Sequence, residues 1–217
     1  MPPKAKFTRD EIIRAGLDIV KEHGMEALSA RALGGKLGSS ARPIFTVFQS
    51  MEEVQAEVKK AAKLLYAGYV RRGLEQELAF KGVGTQYILF AMQEPKLFQL
   101  LFMSEQRQPP AVANVLPVLD DNYKEILLSV QNGYRLSEHE AEQLYRHLWI
   151  YTHGIAVLCA TNMCIFTAEE ISKMIAQVFK GIRKGIILNC PTRGNSCNKR
   201  WDMQKNGTAT PERSRCQ

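Results

Sequence analysis

Residues 29–54 constrain the fold more than any other part of the chain. Ser29 is a suitable N-cap for a short helix, and Gly38 follows that helix where a tight turn requires a positive φ. Ile44 and Phe48 then lie four residues apart, on one face of a second helix. Two short helices joined through a glycine turn are typical of the helix-turn-helix, whose second helix enters a DNA major groove. A plain pair of packed helices would show the same spacing, so spacing alone leaves DNA binding open.

The same stretch resembles the DNA-binding domain of the tetracycline-repressor (TetR) family of bacterial transcription regulators. It aligns without a gap from Ala30 to Val54. The positions that agree in register are Leu33, Leu37, Gly38, Ser40, Ile44, Phe45, Phe48 and 52–54. The resemblance implies a homodimer whose two recognition helices enter successive major grooves of a palindromic double-stranded DNA operator, about 34–36 Å apart.

Several positions depart from the family's pattern. Phe45 replaces a tyrosine whose hydroxyl usually meets a DNA phosphate, Val47 replaces a common histidine, and Met51 replaces a lysine. Each change removes a polar or charged contact with the DNA backbone. Pro43 disfavours the αR conformation at Arg42, so the recognition helix is expected to begin at Pro43.

The resemblance also implies which side chains meet DNA. Arg42 is expected to read a base edge, because arginine to guanine is the commonest specific pairing. Ser40 and Thr46 are expected at bases or phosphates, and Arg31 and Lys36 at phosphates. The complete predicted DNA-binding set is Arg31, Lys36, Ser40, Ala41, Arg42, Pro43, Phe45 and Thr46.

The charge distribution fits an anionic partner. The 217 residues carry a net charge of +7. Residues 1–50 hold eight Lys and Arg against five Asp and Glu, and residues 190–217 hold six against two. The excess therefore lies at the predicted DNA-binding end, which begins with a basic arm carrying Lys4 and Lys6, and in the tail. Five cysteines without a CxxC pair argue against a disulfide framework and predict a reducing, cytoplasmic location.

One uncharged stretch, residues 147–168, is long enough to span a membrane. His147, Thr152, His153 and Asn162 interrupt it, so we interpret it as a buried helix in a protein interface and expect no membrane partner. Residues 1–4 lack the apolar run of a signal peptide.

Capping boxes and apolar periodicity predict an all-α protein. Four boxes mark helix starts: Thr8 with Glu11, Ser50 with Glu53, Ser137 with Glu140 and Thr167 with Glu170. Helices are expected over 8–23, 51–77, 82–92, 96–103, 111–131, 137–163 and 167–188, besides the two of the helix-turn-helix. We predict a three-helix DNA-binding domain at 1–50, a larger helical ligand-binding and dimerisation domain at 51–189, and a disordered basic tail at 190–217.

The larger domain also resembles one branch of the same family. Residues 82–103 match a pattern of its ligand domains, and Trp149 with His153-Gly154 matches a Trp-His-Gly feature, although the same spacing suits a core pair. The resemblance implies dimerisation through the last two helices and release of DNA by a small apolar or aromatic effector. Apolar cavities with few polar groups are typical effector sites. The predicted effector-binding residues are Tyr87, Phe90, Phe98, Phe102, Met103, Tyr123, Trp149 and His153.

No catalytic constellation stands out. His139-Glu140 begins a zinc-protease motif, but Gln143 occupies the position of its second histidine. No histidine follows a glutamate by three residues, as a di-iron bundle requires. Cys159 with His153 stays open as a nucleophile–base pair, although a packed cysteine is commoner. We predict a ligand-responsive regulator, most simply a repressor, with no enzyme activity, cofactor or metal. The alternative is a helical small-molecule-binding or interaction protein that has lost DNA binding.

Overall fold

The computed structural model describes residues 6–188, which form helices joined by loops and contain no strand. The α-helices, in chain order, are α1 Arg9–His23, α2 Ala30–Lys36, α3 Met51–Leu74, α4 Ala79–Gln93, α5 Pro95–Phe102, α6 Val115–Leu119, α7 Tyr123–Tyr134, α8 Glu138–Ala160 and α9 Ala168–Leu188. Single 3₁₀ turns occur at Met25–Ala27, Ile44–Thr46 and Val112–Asn114. The all-α prediction is confirmed. The predicted tail at 190–217 lies outside the described residues.

Three of the predicted capping boxes start helices. At α1, the Glu11 amide donates to the Thr8 hydroxyl at 3.2 Å, and the Glu11 carboxylate accepts from the Thr8 amide at 2.7 Å. The same reciprocal bonds start α8 and α9, between Ser137 and Glu140 and between Thr167 and Glu170. The hydrogen bonds from Thr8 stabilise the charged form of Glu11 and lower its carboxyl pKa.

At α3 the predicted box is only half formed. The Ser50 hydroxyl accepts from the Glu53 amide at 3.3 Å, but the Glu53 carboxylate accepts from the Gln49 amide at 2.7 Å instead of the Ser50 amide. The same carboxylate lies 2.9 Å from Arg9 of α1, and Arg9 also lies 3.5 Å from Glu57. The start of α3 is therefore tied to α1.

The second helix of the expected helix-turn-helix is not an α-helix. It is a single 3₁₀ turn over Ile44–Thr46. Pro43 has a helical φ of −61° but no N–H, and it disfavours αR in the residue before it, so only one further turn, from the Ile44 amide to the Ala41 carbonyl at 3.1 Å, precedes the 3₁₀ turn. Val47 leaves the helical φ range at −117°, and Ser50 already caps the next helix. The predicted start near Pro43 is right, and the predicted helix type is wrong.

The helix predicted over 111–131 is broken. A 3₁₀ turn and α6 precede α7, and Asp120 lies between the two helices. The Asp120 carboxylate accepts at 2.9 Å from both the backbone and the side-chain amide of Asn122, which competes with a continuous helix. Its other oxygen accepts from the Tyr66 hydroxyl of α3 at 2.8 Å. The break is therefore held by a tertiary contact as well as by a local turn.

Two helix ends also differ from the prediction. Helix α3 stops at Leu74, before the expected end at Glu77. Helix α7 continues past the predicted end at residue 131 and through Gly133, and it ends beside Arg135, whose φ of 53° lies in the left-handed region. A glycine near a helix end is only a weak stop signal when it can be accommodated inside the helix.

One hydrophobic cluster runs from α1 to α9. Helix α1 packs on both α3 and α5, and Lys21 of α1 lies 2.9 Å from Glu94 at the junction of α4 and α5. Helix α4 packs against α3, α5, α7 and α8 and is therefore central. The predicted domain boundary at residue 50 falls at the N-cap of α3. It stays a prediction, because the core continues across it.

Helices α3 and α4 cross at two glycines. A Cβ on Gly82 would lie 2.3 Å from the carbonyl oxygen of Gly73, and a Cβ on Gly73 would lie 2.6 Å from the backbone of Val83. Only glycine fits at either position without moving a helix. A Cβ on Gly84, on the same helix, would meet nothing within 4 Å.

We expect Gly82→Ala to lower the free energy of unfolding by about 1–3 kcal/mol, because the new methyl group overlaps a backbone carbonyl. Gly84→Ala is the matched control. It should raise the same free energy by about 0.5–1 kcal/mol, since alanine is the better helix former. Urea denaturation followed by circular dichroism measures both, and equal stability of the two variants would contradict the close crossing.

Candidate functional site

The segment after α2, which we call the recognition turn (residues 39–48), is held against α2 by its backbone. The Ser39 amide donates to the Gly34 carbonyl at 2.9 Å, and Gly38 turns the chain with a φ of +62°. A Cβ on Gly34 would lie 2.9 Å from the Ser40 carbonyl carbon and 3.0 Å from the Ala41 nitrogen. The turn can therefore approach α2 this closely only because residue 34 is glycine.

Gly34 was not predicted as a functional residue. The sequence signal was present as a pair of glycines, Gly34 and Gly35, in a helix of seven residues. Each glycine costs a helix roughly 1 kcal/mol relative to alanine, so the pair calls for a packing reason. The structure provides one for Gly34 and none for Gly35, whose Cβ would meet nothing within 4 Å.

The recognition turn has a buried side and an exposed side. Ile44 and Phe48 are anchored in the core together with Leu33 of α2. Most of the predicted DNA-binding residues face solvent: Arg31, Lys36, Ser40, Arg42, Phe45 and Thr46. Ala41 and Pro43 are half-buried. Ile44 and Phe48, which were predicted to share one face, therefore both lie on the buried side of the turn.

The exposed side of the recognition turn is free of acidic residues, since residues 27–51 contain no Asp or Glu. Arg31 and Arg42 make no ion pair with any residue in 6–188, whereas Lys36 lies 3.2 Å from Glu22. Lys6, from the N-terminal arm, donates to the Ser39 hydroxyl at 3.0 Å and so lies beside the turn. The available positive charge is therefore that of Arg31 and Arg42, supplemented by Lys6.

A cavity of about 400 Å³ lies between α4, α8 and α9, within the usual size of small-molecule sites. Its walls are mostly apolar and aromatic, with contributions from Phe80, Val83, Tyr87, Leu148, Trp149, Ile175 and Phe179. Gly84 also lines it, and its missing side chain leaves open space there.

The buried end of the cavity is polar. Asp120 is 4% exposed and accepts from Tyr66. Tyr145 and Thr152 are 3% and 6% exposed, line the cavity, and make no hydrogen bond through their hydroxyls to any residue of the described chain. Burial, and then the Asp120 charge, raise the pKa of Tyr66 and Tyr145 well above the ordinary phenol value. Both side chains are neutral hydrogen-bonding groups at physiological pH.

Three of the predicted effector-binding residues meet at the cavity wall. Tyr87 and Trp149 line the cavity directly. His153 lies behind them: its Nδ1 is 2.9 Å from the Tyr87 hydroxyl, and its ring stacks on Trp149 with centroids 4.9 Å apart. Burial lowers the pKa of His153, which favours the neutral ring that this packing requires.

The other predicted effector-binding residues lie elsewhere. Phe90 and Phe98 are fully buried in the core, and Met103 is 40% exposed beyond the end of α5. Phe102 lines a second cavity of about 470 Å³ between α3 and the Asp120 turn. Tyr123 donates to Glu142 at 2.9 Å, and burial raises its pKa to about 12.

Cys159 and His153, the possible nucleophile–base pair, are not joined by a hydrogen bond within the described chain. The described residues hold no cluster of three or more His, Cys, Asp or Glu that could bind a metal ion. Burial, together with nearby Cys164, raises the pKa of the Cys159 thiol, and the Nδ1 of His153 faces Tyr87. Within residues 6–188 there is no helix with the length and hydropathy of a membrane span.

Comparison with protein families matches residues 80–178 to the family described as "Tetracyclin repressor-like, C-terminal domain". The match runs from Phe80 in α4 to Val178 in α9, so it contains most of the cavity walls. The Trp-His-Gly branch stays a prediction. No curated protein matches the chain. Residues 80–178 are therefore similar to a tetracyclin repressor-like C-terminal domain.

Proposed function

We propose that the protein is a ligand-responsive, DNA-binding transcriptional regulator that acts as a homodimer, most simply as a repressor. One observation carries the proposal. A single chain joins an exposed turn free of acidic residues to a tetracyclin repressor-like domain that encloses a cavity of about 400 Å³. Helix α3 connects them directly, because it begins where the recognition turn ends and reaches the cavity at Tyr66.

The free cations support DNA contact. Because Arg31 and Arg42 make no ion pair within the described chain, they can bind phosphates or bases without losing an existing partner. Arg42 precedes the 3₁₀ turn, at the exposed tip of the segment, as a base-reading residue requires. Thr46 donates to the Pro43 carbonyl at 2.6 Å, which leaves its oxygen free to accept from a base amine.

An apolar surface on α8 and the loop after it supports a homodimer. Ile150 is 48% exposed, and Met163 and Ile165 are 74% and 95% exposed. Gly154 lies one turn beyond Ile150, and a Cβ there would meet nothing within 4 Å, so a partner helix could approach closely. The stretch 147–168 carries no formal charge, which is typical of the buried centre of an interface.

Two sets of helix contacts connect the cavity to the recognition turn. Helix α3 has 24 residues and is about 36 Å long, and it crosses α4 at Gly73 and Gly82. Helix α1 holds the start of α3 through Arg9 and the end of α4 through Lys21. An effector that binds one arrangement of α4 more tightly would shift α3 and change the spacing of the two turns in the dimer.

The direct test is selection of genomic DNA fragments by the purified full-length protein at physiological salt. We expect enrichment of a short inverted repeat whose half-sites lie about 34–36 Å apart, one helical turn of DNA. No enrichment would contradict the DNA-binding part of the proposal.

Gly34→Ala should weaken operator binding about tenfold or more, because the new methyl group displaces the backbone of the recognition turn and shifts its contacts by tenths of an ångström. Gly35→Ala, the neighbouring control, should bind as the wild type does. Fluorescence anisotropy with the selected operator measures both, and a thermal melt establishes that each variant is folded. Equal binding by the two variants would contradict the role of Gly34.

Arg42→Ala should cost about 1–3 kcal/mol of operator binding and relax specificity at one base position. Lys59→Ala is the control, because it also removes one exposed positive charge but lies on α3, outside the predicted DNA-binding residues. Competition against operators with single base changes measures the effect. The same loss on operator and random DNA would show that Arg42 binds only phosphate.

Ile150→Glu should shift the protein from dimer to monomer by placing a charge in the proposed interface. Leu128→Glu is the control, because Leu128 is similarly exposed, at 56%, but lies on α7. Sedimentation equilibrium measures the mass of each variant. An unchanged dimer in Ile150→Glu would place the interface elsewhere.

A second candidate function has specific observations in its favour. The recognition element is one 3₁₀ turn, Phe45 stands where the family resemblance expects a phosphate-binding tyrosine, and Lys36 is paired with Glu22. A helical small-molecule-binding protein without DNA binding would share the cavity and the family domain. Failure of the DNA selection combined with ligand binding in the cavity would establish this alternative.

A further inference from the structure

The open end of the cavity carries uncompensated positive charge. Lys81 from α4 and Lys180 and Arg183 from α9 are exposed and line the cavity. None of the three makes an ion pair with a residue in 6–188, and the Arg183 guanidinium carbon lies 5.8 Å from the centre of the Tyr134 ring. Cations from two different helices therefore meet at one opening without a counter-charge.

Exposed lysines and arginines on a helix are common, and only their position beside the cavity sets these three apart. These three border an apolar cavity, where field lines concentrate and an anion gains more than it does on an open surface. The lining contains one carboxylate, that of Asp120, and it lies at the buried end, where Tyr66 and Asn122 already bind it. The opening is thus positive and the buried end negative.

The buried end of the cavity favours a hydrogen-bond donor on the ligand and disfavours an anion. The hydroxyls of Tyr145 and Thr152 have no partner in the described chain, although each residue is more than nine-tenths buried. Because both residues line the cavity, a ligand inside it can hydrogen-bond to these hydroxyls and gain affinity. A second anion beside Asp120 would be repelled in this low-dielectric site, whereas a hydroxyl or amine donor would be attracted.

We propose that the effector is an amphipathic monoanion: its acidic group binds at Lys81, Lys180 and Arg183, its apolar body lies against the aromatic walls, and a hydrogen-bond donor faces Tyr145, Thr152 and Asp120. This proposal rests on the proposed function of the cavity as an effector site. It names the chemical class of the effector, which neither the family nor the cavity volume specifies.

The same geometry indicates how the effector would act. An acidic group between Lys81 and the α9 cations would draw α9 towards α4, because it neutralises their mutual repulsion. Helix α9 packs along α8, the helix with the exposed apolar surface, so its movement would change the proposed dimer interface. An uncharged molecule of the same shape would fill the cavity but would not draw α9 towards α4.

Two fluorescent probes test the charge preference. Anilinonaphthalene sulfonate and phenylnaphthylamine share an aromatic body and differ by one sulfonate. We expect the anionic probe to bind the full-length protein about tenfold more tightly than the neutral probe, as one charge-assisted contact provides. The double substitution Lys180→Gln with Arg183→Gln should remove this preference and leave the affinity for the neutral probe unchanged.

Two sets of control variants show whether the probes bind in the cavity and which charges cause the preference. Lys173→Gln with Lys184→Gln makes the same charge change on α9 at exposed residues outside the cavity lining, and it should preserve the preference. Gly84→Leu should block both probes by filling the cavity, whereas Gly133→Leu, whose new side chain also meets nothing within 4 Å of its Cβ, should not. A thermal melt of each variant establishes folding.

The outcomes separate this inference from the proposed function. Equal affinity for both probes, blocked by Gly84→Leu, would overturn the anionic effector and leave the effector cavity standing. A preference that survives in the Lys180 and Arg183 double variant, or that is lost equally in the control pair, would also overturn it. Binding of neither probe, or binding unaffected by Gly84→Leu, would overturn the inference together with the cavity's proposed role. None of these outcomes bears on the DNA selection, which tests the other half of the proposed function independently.

Discussion

The backbone contact between α3 and α4 at Gly73 and Gly82 is the constraint on which the rest of the structure depends. It brings two long helices to a distance that no larger residue allows. Helix α3 carries the recognition turn at its start, and α4 forms one wall of the cavity. Because the crossing is made by backbone atoms and not by adaptable side chains, the two helices cannot shift independently there. Movement of the cavity wall must therefore be accommodated along α3.

Helix α1 provides a second connection, through ion pairs in addition to its packing on α3 and α5. Its first residue, Arg9, holds Glu53 and Glu57 near the start of α3, and Lys21 near its end holds Glu94 between α4 and α5. These pairs are partly exposed, so each contributes little to stability. Their value lies in orientation, since they fix α1 against the start of α3 and against the junction of α4 and α5.

Helix α9 lines the cavity and also packs against α8, which carries the exposed apolar surface. Its inner face closes the cavity through Ile175 and Phe179, and two of its cations, Lys180 and Arg183, stand at the opening. The apolar surface proposed for dimerisation lies on α8, against which α9 packs. In the proposed function, the same helix would therefore contact the effector and pack against the helix that carries the proposed dimer interface.

The sequence by itself determined where α1, α3, α8 and α9 begin and which side of the recognition turn is anchored. Capping bonds such as Thr8 with Glu11 span three residues, so local chemistry suffices to predict them. Pro43 could have predicted the short 3₁₀ turn by the same local reasoning. The tertiary structure decided the break at Asp120, which Tyr66 holds from 54 residues away, and the role of Gly34, which depends on the returning backbone. It also decided which aromatic residues line the cavity and which only fill the core, because helical periodicity identifies a buried face but not the space beside it.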